Sequence, residues 1–204
     1  MQPLGNLTRA EAATIMFRLL TDEARETYLT TENDFPDVNE GDWYNTMVST
    51  LASIGILNGR TDGNFDPDAY ITRAELAAIC ARFDDTTVDG IQIFTDTAGH
   101  WAEEEIGIAA ALGWVEGDGD GTFRPDDYIT RAETMTLINR VLDREVEDED
   151  DLLAGMNEWF DNQPGTWYYL AVQEATSSHV YEKKTSEYEY WTEILEDPDW
   201  TIYQ

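Results

Sequence analysis

Leu7-Thr8-Arg9-Ala10-Glu11, Ile71-Thr72-Arg73-Ala74-Glu75 and Ile129-Thr130-Arg131-Ala132-Glu133 are three copies of one helix start. A proline stands five residues before each threonine: Pro3, Pro67 and Pro125. Thr-x-x-Glu ahead of an apolar run is a capping box, in which the hydroxyl accepts from the N–H three residues on and the glutamate reaches back to the threonine N–H. Removing such a cap typically costs about 1 kcal/mol. Helical spacing follows in each copy: Ala12, Ile15, Met16 and Leu19; Leu76, Ile79, Cys80 and Phe83; Thr134, Leu137, Ile138 and Val141, with one polar exception. Cys80 therefore reads as a packing residue, not a nucleophile.

The arginine at the first helical position is the odd member. A cation there opposes the helix dipole by roughly 0.3–1 kcal/mol, yet Arg9, Arg73 and Arg131 repeat it. Two readings stand: an arginine paired with one of many carboxylates, or an anion site shared with free N–H groups of the helix start.

Outward from these starts the chain repeats. An offset of 58 residues carries Trp43 onto Trp101, Gly55 onto Gly113, Gly59 onto Gly117, Asp62-Gly63 onto Asp120-Gly121, Phe65 onto Phe123, and Tyr70–Glu75 onto Tyr128–Glu133. No insertion interrupts that alignment, so duplication organises the fold. Tryptophan-led helices are predicted from about Asp42 to Ile54 and from Trp101 to Leu112, each ended by a left-handed glycine, and a third over 167–176. Trp159-Phe160-Asp161 precedes Trp167 as Phe35-Pro36-Asp37 precedes Trp43. Beyond that helix the pattern breaks, with His179 in the place of Gly55 and no Asp-Gly loop after it. Residues 21–42 read as a polar connection and 142–158 as a solvated acidic linker, while a short helix is predicted near Glu187–Glu196.

The protein has 204 residues, 12 Lys and Arg against 43 Asp and Glu, and a formal net charge of −31. That balance excludes general adhesion to nucleic acid or to anionic membranes. With 42% hydrophobic and 12% aromatic residues the chain still folds. One cysteine excludes a disulfide framework. No transmembrane run or signal peptide is visible. Met1 stands just before a capping box, which predicts a cut through a repeat and a longer parent protein.

These residues resemble the S-layer homology family. Its pattern is an aromatic-x-Asp entry, a Trp-led helix, a Gly-x-x-x-Asp-Gly-x-Phe-x-Pro loop and an Ile-Thr-Arg-Ala-Glu helix, met here from Phe35 to Glu75 and from Phe94 to Glu133. The resemblance implies a mainly α fold, a pseudo-three-fold prism of three helix–loop–helix units with six main helices and little strand. The array is expected over 1–178, as a partial unit 1–20, units 35–83 and 94–142, and a partial unit 159–178 that the first completes in space; 179–204 is a C-terminal extension packed on it. The implied function is non-covalent anchoring of a secreted protein to the bacterial cell wall through a secondary wall polysaccharide, often pyruvylated. The implied location is extracellular, on the wall, without membrane insertion. The alternative is a structural or self-associating surface-layer domain that binds no glycan.

The ligand residues implied are Arg9, Arg73 and Arg131, Asp37, Asp96 and Asp161, Trp43, Trp101 and Trp167, with Asp62-Gly63 and Asp120-Gly121 from the loops. Arg73 ranks first because its neighbouring units are intact, then Arg131, then Arg9. Since the cap does not need the arginine, Arg73→Ala is expected to spare the fold. The tryptophans have an alternative as core residues, and the three aspartates as helix caps. No cofactor, metal or catalytic residue is expected. Glu116, Asp118, Asp120 and Asp127 have the outline of a calcium loop, but Arg124 and Pro125 interrupt it, and the sister loop offers Asn58, Arg60, Asp62 and Ala69. His100 and His179 sit in no metal or triad spacing.

Overall fold

The computed structural model describes residues 1–83, 91 and 93–204. Among them the helices are α1 (Arg9–Leu19), α2 (Asp22–Tyr28), α3 (Asn45–Ser53), α4 (Arg73–Phe83), α5 (Glu103–Ala111), α6 (Arg131–Val141) and α7 (Tyr169–Thr176). Among the described residues the one sheet is the hairpin β1 (His179–Lys183) and β2 (Glu189–Ile194). The fold is mainly α, as the repeats predict.

The capping boxes are formed. Thr8 and Thr130 each exchange hydrogen bonds with Glu11 and Glu133. Thr72 N–H donates to Glu75 at 2.9 Å, and Glu75 N–H donates back to the Thr72 hydroxyl at 3.2 Å. The residues just before the caps close a ring. Leu7 N–H donates to Ile129 O at 3.2 Å, Ile129 N–H to Ile71 O at 3.1 Å, and Ile71 N–H to Leu7 O at 2.9 Å. All three side chains are buried. A polar backbone on a dry axis needs such partners, and the ring supplies them with pseudo-three-fold symmetry.

Around that axis each capped helix packs on a tryptophan-led one: α1 on α3, α4 on α5, α6 on α7. The loop between a tryptophan helix and the next capped helix is pinned by an aspartate. Asp37 accepts from the N–H groups of Phe65 and Asp66 at 2.8 and 2.7 Å, and Asp96 from Phe123 and Arg124 at the same distances. These carboxylates hold Asp66 and Arg124 at a φ of 57°, a left-handed conformation costly without support. Gly59 and Gly117 are needed where the entry aromatic presses on the loop: an added Cβ would lie 2.6 Å from the rings of Phe35 and Phe94.

The two ends of the chain meet in the same geometry. Asp161 accepts from Gln2 N–H at 2.6 Å, Gln2 has φ 57°, and Met1 and Trp159, at the places of the paired phenylalanines of the other units, both pack on the cluster of Ala132, Tyr168 and Val172.

Three local expectations fail. Residues 21–42 contain α2, capped by Thr21 and fixed by Arg25, which donates to the carbonyls of Arg18 and Leu20. The acidic run at 142–158 is no free linker: Asp151 is buried, accepts from Glu147 and Asp148 N–H, and binds Lys184 at 3.0 Å. The segment near Glu187–Glu196 is strand, not helix. Its Trp191 is buried and donates to Glu174 at 2.8 Å, and its Glu189 is buried beside Arg144. Further on, Tyr203 packs edge-on against Phe17, tying the end of the chain to α1.

Candidate functional site

The arginines of the helix starts are structural first. Arg9 donates from Nε to Phe65 O at 2.7 Å, from Nη1 to Glu75 at 2.9 Å and from Nη2 to Asn58 O at 3.1 Å, with its guanidinium 4.8 Å from the Phe65 ring centre. Arg73 repeats this one unit on, to Phe123 O at 2.9 Å, Glu133 at 3.0 Å and Glu116 O at 3.3 Å, over the Phe123 ring. Among the described residues Arg131 binds Glu11 alone. Each arginine thus grips the capping glutamate of another unit, the pairing reading of the sequence. Burial draws the Arg9 guanidinium below its ordinary pKa, a pull that Glu75 opposes.

The N–H groups of these helix starts are not free. Arg9 and Ala10 N–H donate to Ala69 and Pro67 carbonyls, Arg73 and Ala74 to Asp127 and Pro125, and Arg131 and Ala132 to Gly5 and Pro3. An anion site built on helix-start N–H groups is therefore ruled out by geometry. The ranking with Arg73 first also changes. The side chains of Arg9 and Arg73 are only 7% and 11% exposed against 26% for Arg131, and each of the first two donates from all three guanidinium nitrogens within the protein.

The aspartates are loop anchors, not caps: the tryptophan helices have no side-chain cap bond at Tyr44, Ala102 or Tyr168. Burial works against ionising Asp96, but the Phe123 and Arg124 N–H groups overcome it and hold its carboxyl below the usual range. The Gln2 N–H, with help from the terminal amine, does so for Asp161. Asp62 and Asp120 accept from the N–H two residues on, at 3.0 and 2.9 Å, and turn the chain at Gly63 and Gly121, both at positive φ. In the calcium-like loop, Arg124 binds Asp118 at 2.9 Å and Asp127 at 3.0 Å, so a cation of the protein stands among those oxygens.

The tryptophans are on the surface rather than in the core: Trp43, Trp101 and Trp167 are 46%, 59% and 64% exposed. Each lies at a cleft between units. The first, about 200 Å³, is lined by Trp43, Arg131, Glu11 and Arg18. The second, about 440 Å³, has Trp101, Arg9, Glu75 and Arg82. The third, about 510 Å³, has Trp167, Arg73, Glu133 and Arg140. One exposed indole, one arginine–glutamate pair and a second arginine recur three times around the axis. The second arginines line the clefts but are not among the candidates drawn from the sequence. Their signal was present, since Arg18, Arg82 and Arg140 each stand nine residues after the Thr-Arg-Ala-Glu arginine.

Comparison with known proteins bears on this pattern. The model of the S-layer homology domain matches residues 34–77 and 93–135. The chain belongs to the S-layer homology family. It is 34% identical over 211 residues to "Cell surface glycoprotein 1" of Acetivibrio thermocellus, covering 96% of this chain and 9% of that protein. It is 32% identical over 201 residues to "Cellulosome-anchoring protein" of the same organism, covering 96% of this chain and 44% of that protein. It is 34% identical over 152 residues to "Amylopullulanase" of Thermoanaerobacterium thermosulfurigenes, covering 70% of this chain and 8% of that protein. The chain spans less than half the length of these relatives. No helix among the described residues is long and apolar enough to cross a membrane.

Proposed function

We propose that this S-layer homology segment anchors a secreted protein at the bacterial cell surface by binding a carboxylate-bearing secondary wall polysaccharide, such as one with pyruvate ketals. Its place is outside the membrane, on the cell wall, and its role is binding rather than catalysis. The names of the cell-surface and anchoring relatives support the surface role. The observation that carries the glycan reading is the threefold recurrence of an exposed tryptophan beside an arginine in a cleft. An exposed indole offers a flat apolar face to a sugar ring, and a guanidinium offers a fork to a carboxylate.

In this reading the array covers residues 1–178, its third unit assembled from the two chain ends, and 179–204 buttresses α7. The entry aspartates and Asp-Gly turns, Asp37, Asp96, Asp161, Asp62-Gly63 and Asp120-Gly121, act on the ligand by fixing the loops that line the clefts. Pull-down of the purified chain on wall polymer, with and without removal of its pyruvyl groups, tests this. Capture that drops when the pyruvyl groups are removed supports it. No capture on either polymer leaves a structural surface domain instead.

A further inference from the structure

We infer that Arg18 forms an acid-binding subsite that makes the Trp43 cleft the one that selects an anionic saccharide; this rests on the glycan-binding reading above. The three second arginines are equivalent in sequence but not in state. Arg140 is paired with Glu116 at 3.2 Å and with Glu145 at 3.7 Å, and Arg82 lies 3.7 Å from Glu105. Arg18 has no ion pair among the described residues, in a chain of net charge −31.

Its surroundings explain this. The carboxylates nearest its two clefts are engaged elsewhere: Glu11 by Arg131, Asp197 by Ser178 and Asn157, Glu174 by Arg144 and Trp191. Glu196, at the edge of the larger cleft, is exposed to solvent. The guanidinium is instead steadied by the Trp200 ring, 5.3 Å away, which Arg25 also covers at 5.0 Å. A planar cation held over an indole keeps its edge N–H groups available.

Arg18 also stands at a junction. It lines the Trp43 cleft and a second cleft of about 710 Å³, between α1, α6, α7 and the C-terminal extension, where Met1, Met135 and Trp159 supply apolar surface. The third unit, which borders this larger cleft, lacks an Asp-Gly loop. A saccharide seated on Trp43 can therefore continue past Arg18 into that cleft. At Arg82 and Arg140 an incoming carboxylate competes with one already in place, whereas at Arg18 it meets no paired carboxylate among the described residues. In a strongly negative field that difference decides where an acid binds.

The test is isothermal titration of the whole chain with a pyruvate-ketal N-acetylmannosamine disaccharide and with its ketal-free counterpart. Arg18→Gln should weaken binding of the acidic probe by tenfold or more and change binding of the neutral probe by less than twofold. Arg82→Gln and Arg140→Gln should each weaken the acidic probe less than Arg18→Gln does, and Arg18→Lys should recover part of the loss. Thermal midpoints run in parallel show whether each variant keeps its fold, and Trp200→Leu, which leaves the Arg18 charge in place, should weaken the acidic probe less than Arg18→Gln does. Acidic-probe binding by the wild type that is unchanged in Arg18→Gln overturns the subsite and leaves the glycan reading standing. Failure of the wild type to bind either probe overturns both.

Discussion

Arg73 reaches across the prism and donates to Glu133 at 3.0 Å, and Glu133 is the residue that caps the helix of the next unit. The same relation links Arg9 to Glu75 and Arg131 to Glu11. One glutamate thus does two jobs, satisfying the N–H of its own helix start and neutralising an arginine from another unit. The ring of units is closed by side chains as well as by the Leu7, Ile71 and Ile129 backbone.

Arg73→Ala should therefore destabilise the protein by about 2–4 kcal/mol, because it strands the Glu133 carboxylate and leaves the Phe123 and Glu116 carbonyls without a donor. Arg73→Lys should restore little, since a lysine cannot reach three acceptors in different directions. Urea denaturation measures this, and an unchanged midpoint in Arg73→Ala would show that the contact carries no stability.

Thr130→Ala should cost about 1 kcal/mol through the lost cap. Thr8→Ala should do the same at α1. Equal losses by thermal melting would confirm that the two starts are equivalent in energy as well as in geometry.

Acid should loosen the loops. Asp96 titrates below its ordinary value because its folded form accepts two N–H bonds. A depressed carboxylate contributes stability above its unfolded pKa and loses it as pH falls through the folded one. Asp161 adds to the same trend. Stability should fall as pH drops below about 4. Asp96→Asn should be less stable at neutral pH and show a shallower acid slope. An unaltered slope would place the acid sensitivity elsewhere.

Trp191→Ala should cost about 3–5 kcal/mol, because it opens a cavity and frees a buried Glu174 oxygen. A loss below about 1 kcal/mol would mean that the hairpin is not part of the cooperative unit.

The repeats were legible because caps, glycines and the Phe-x-Pro loop recur at fixed offsets, and each has a local physical cause. The hairpin was not, because its buried positions include Glu189, whose burial depends on Arg144 lying 45 residues away. Helix α2 was obscured for a similar reason: Arg25 satisfies the carbonyls at the end of α1, a contact that polarity alone does not announce. At the clefts, the first arginines and the tryptophans stood out by motif. Arg18, Arg82 and Arg140 did not, because an arginine late in an amphipathic helix reads as solvated face.

The most direct measurement is titration of a pyruvylated wall-polymer fragment into the wild type and into the triple variant Trp43→Ala, Trp101→Ala, Trp167→Ala. All three indoles lie on the surface outside the core, so the variant should melt within a few degrees of the wild type. The predicted result is a loss of binding of about tenfold or more with the fold retained, from about 0.5–1.5 kcal/mol per lost aromatic contact, together with lost apolar burial, at the occupied clefts. Equal affinity in the two proteins would contradict the assignment of these clefts as the glycan sites.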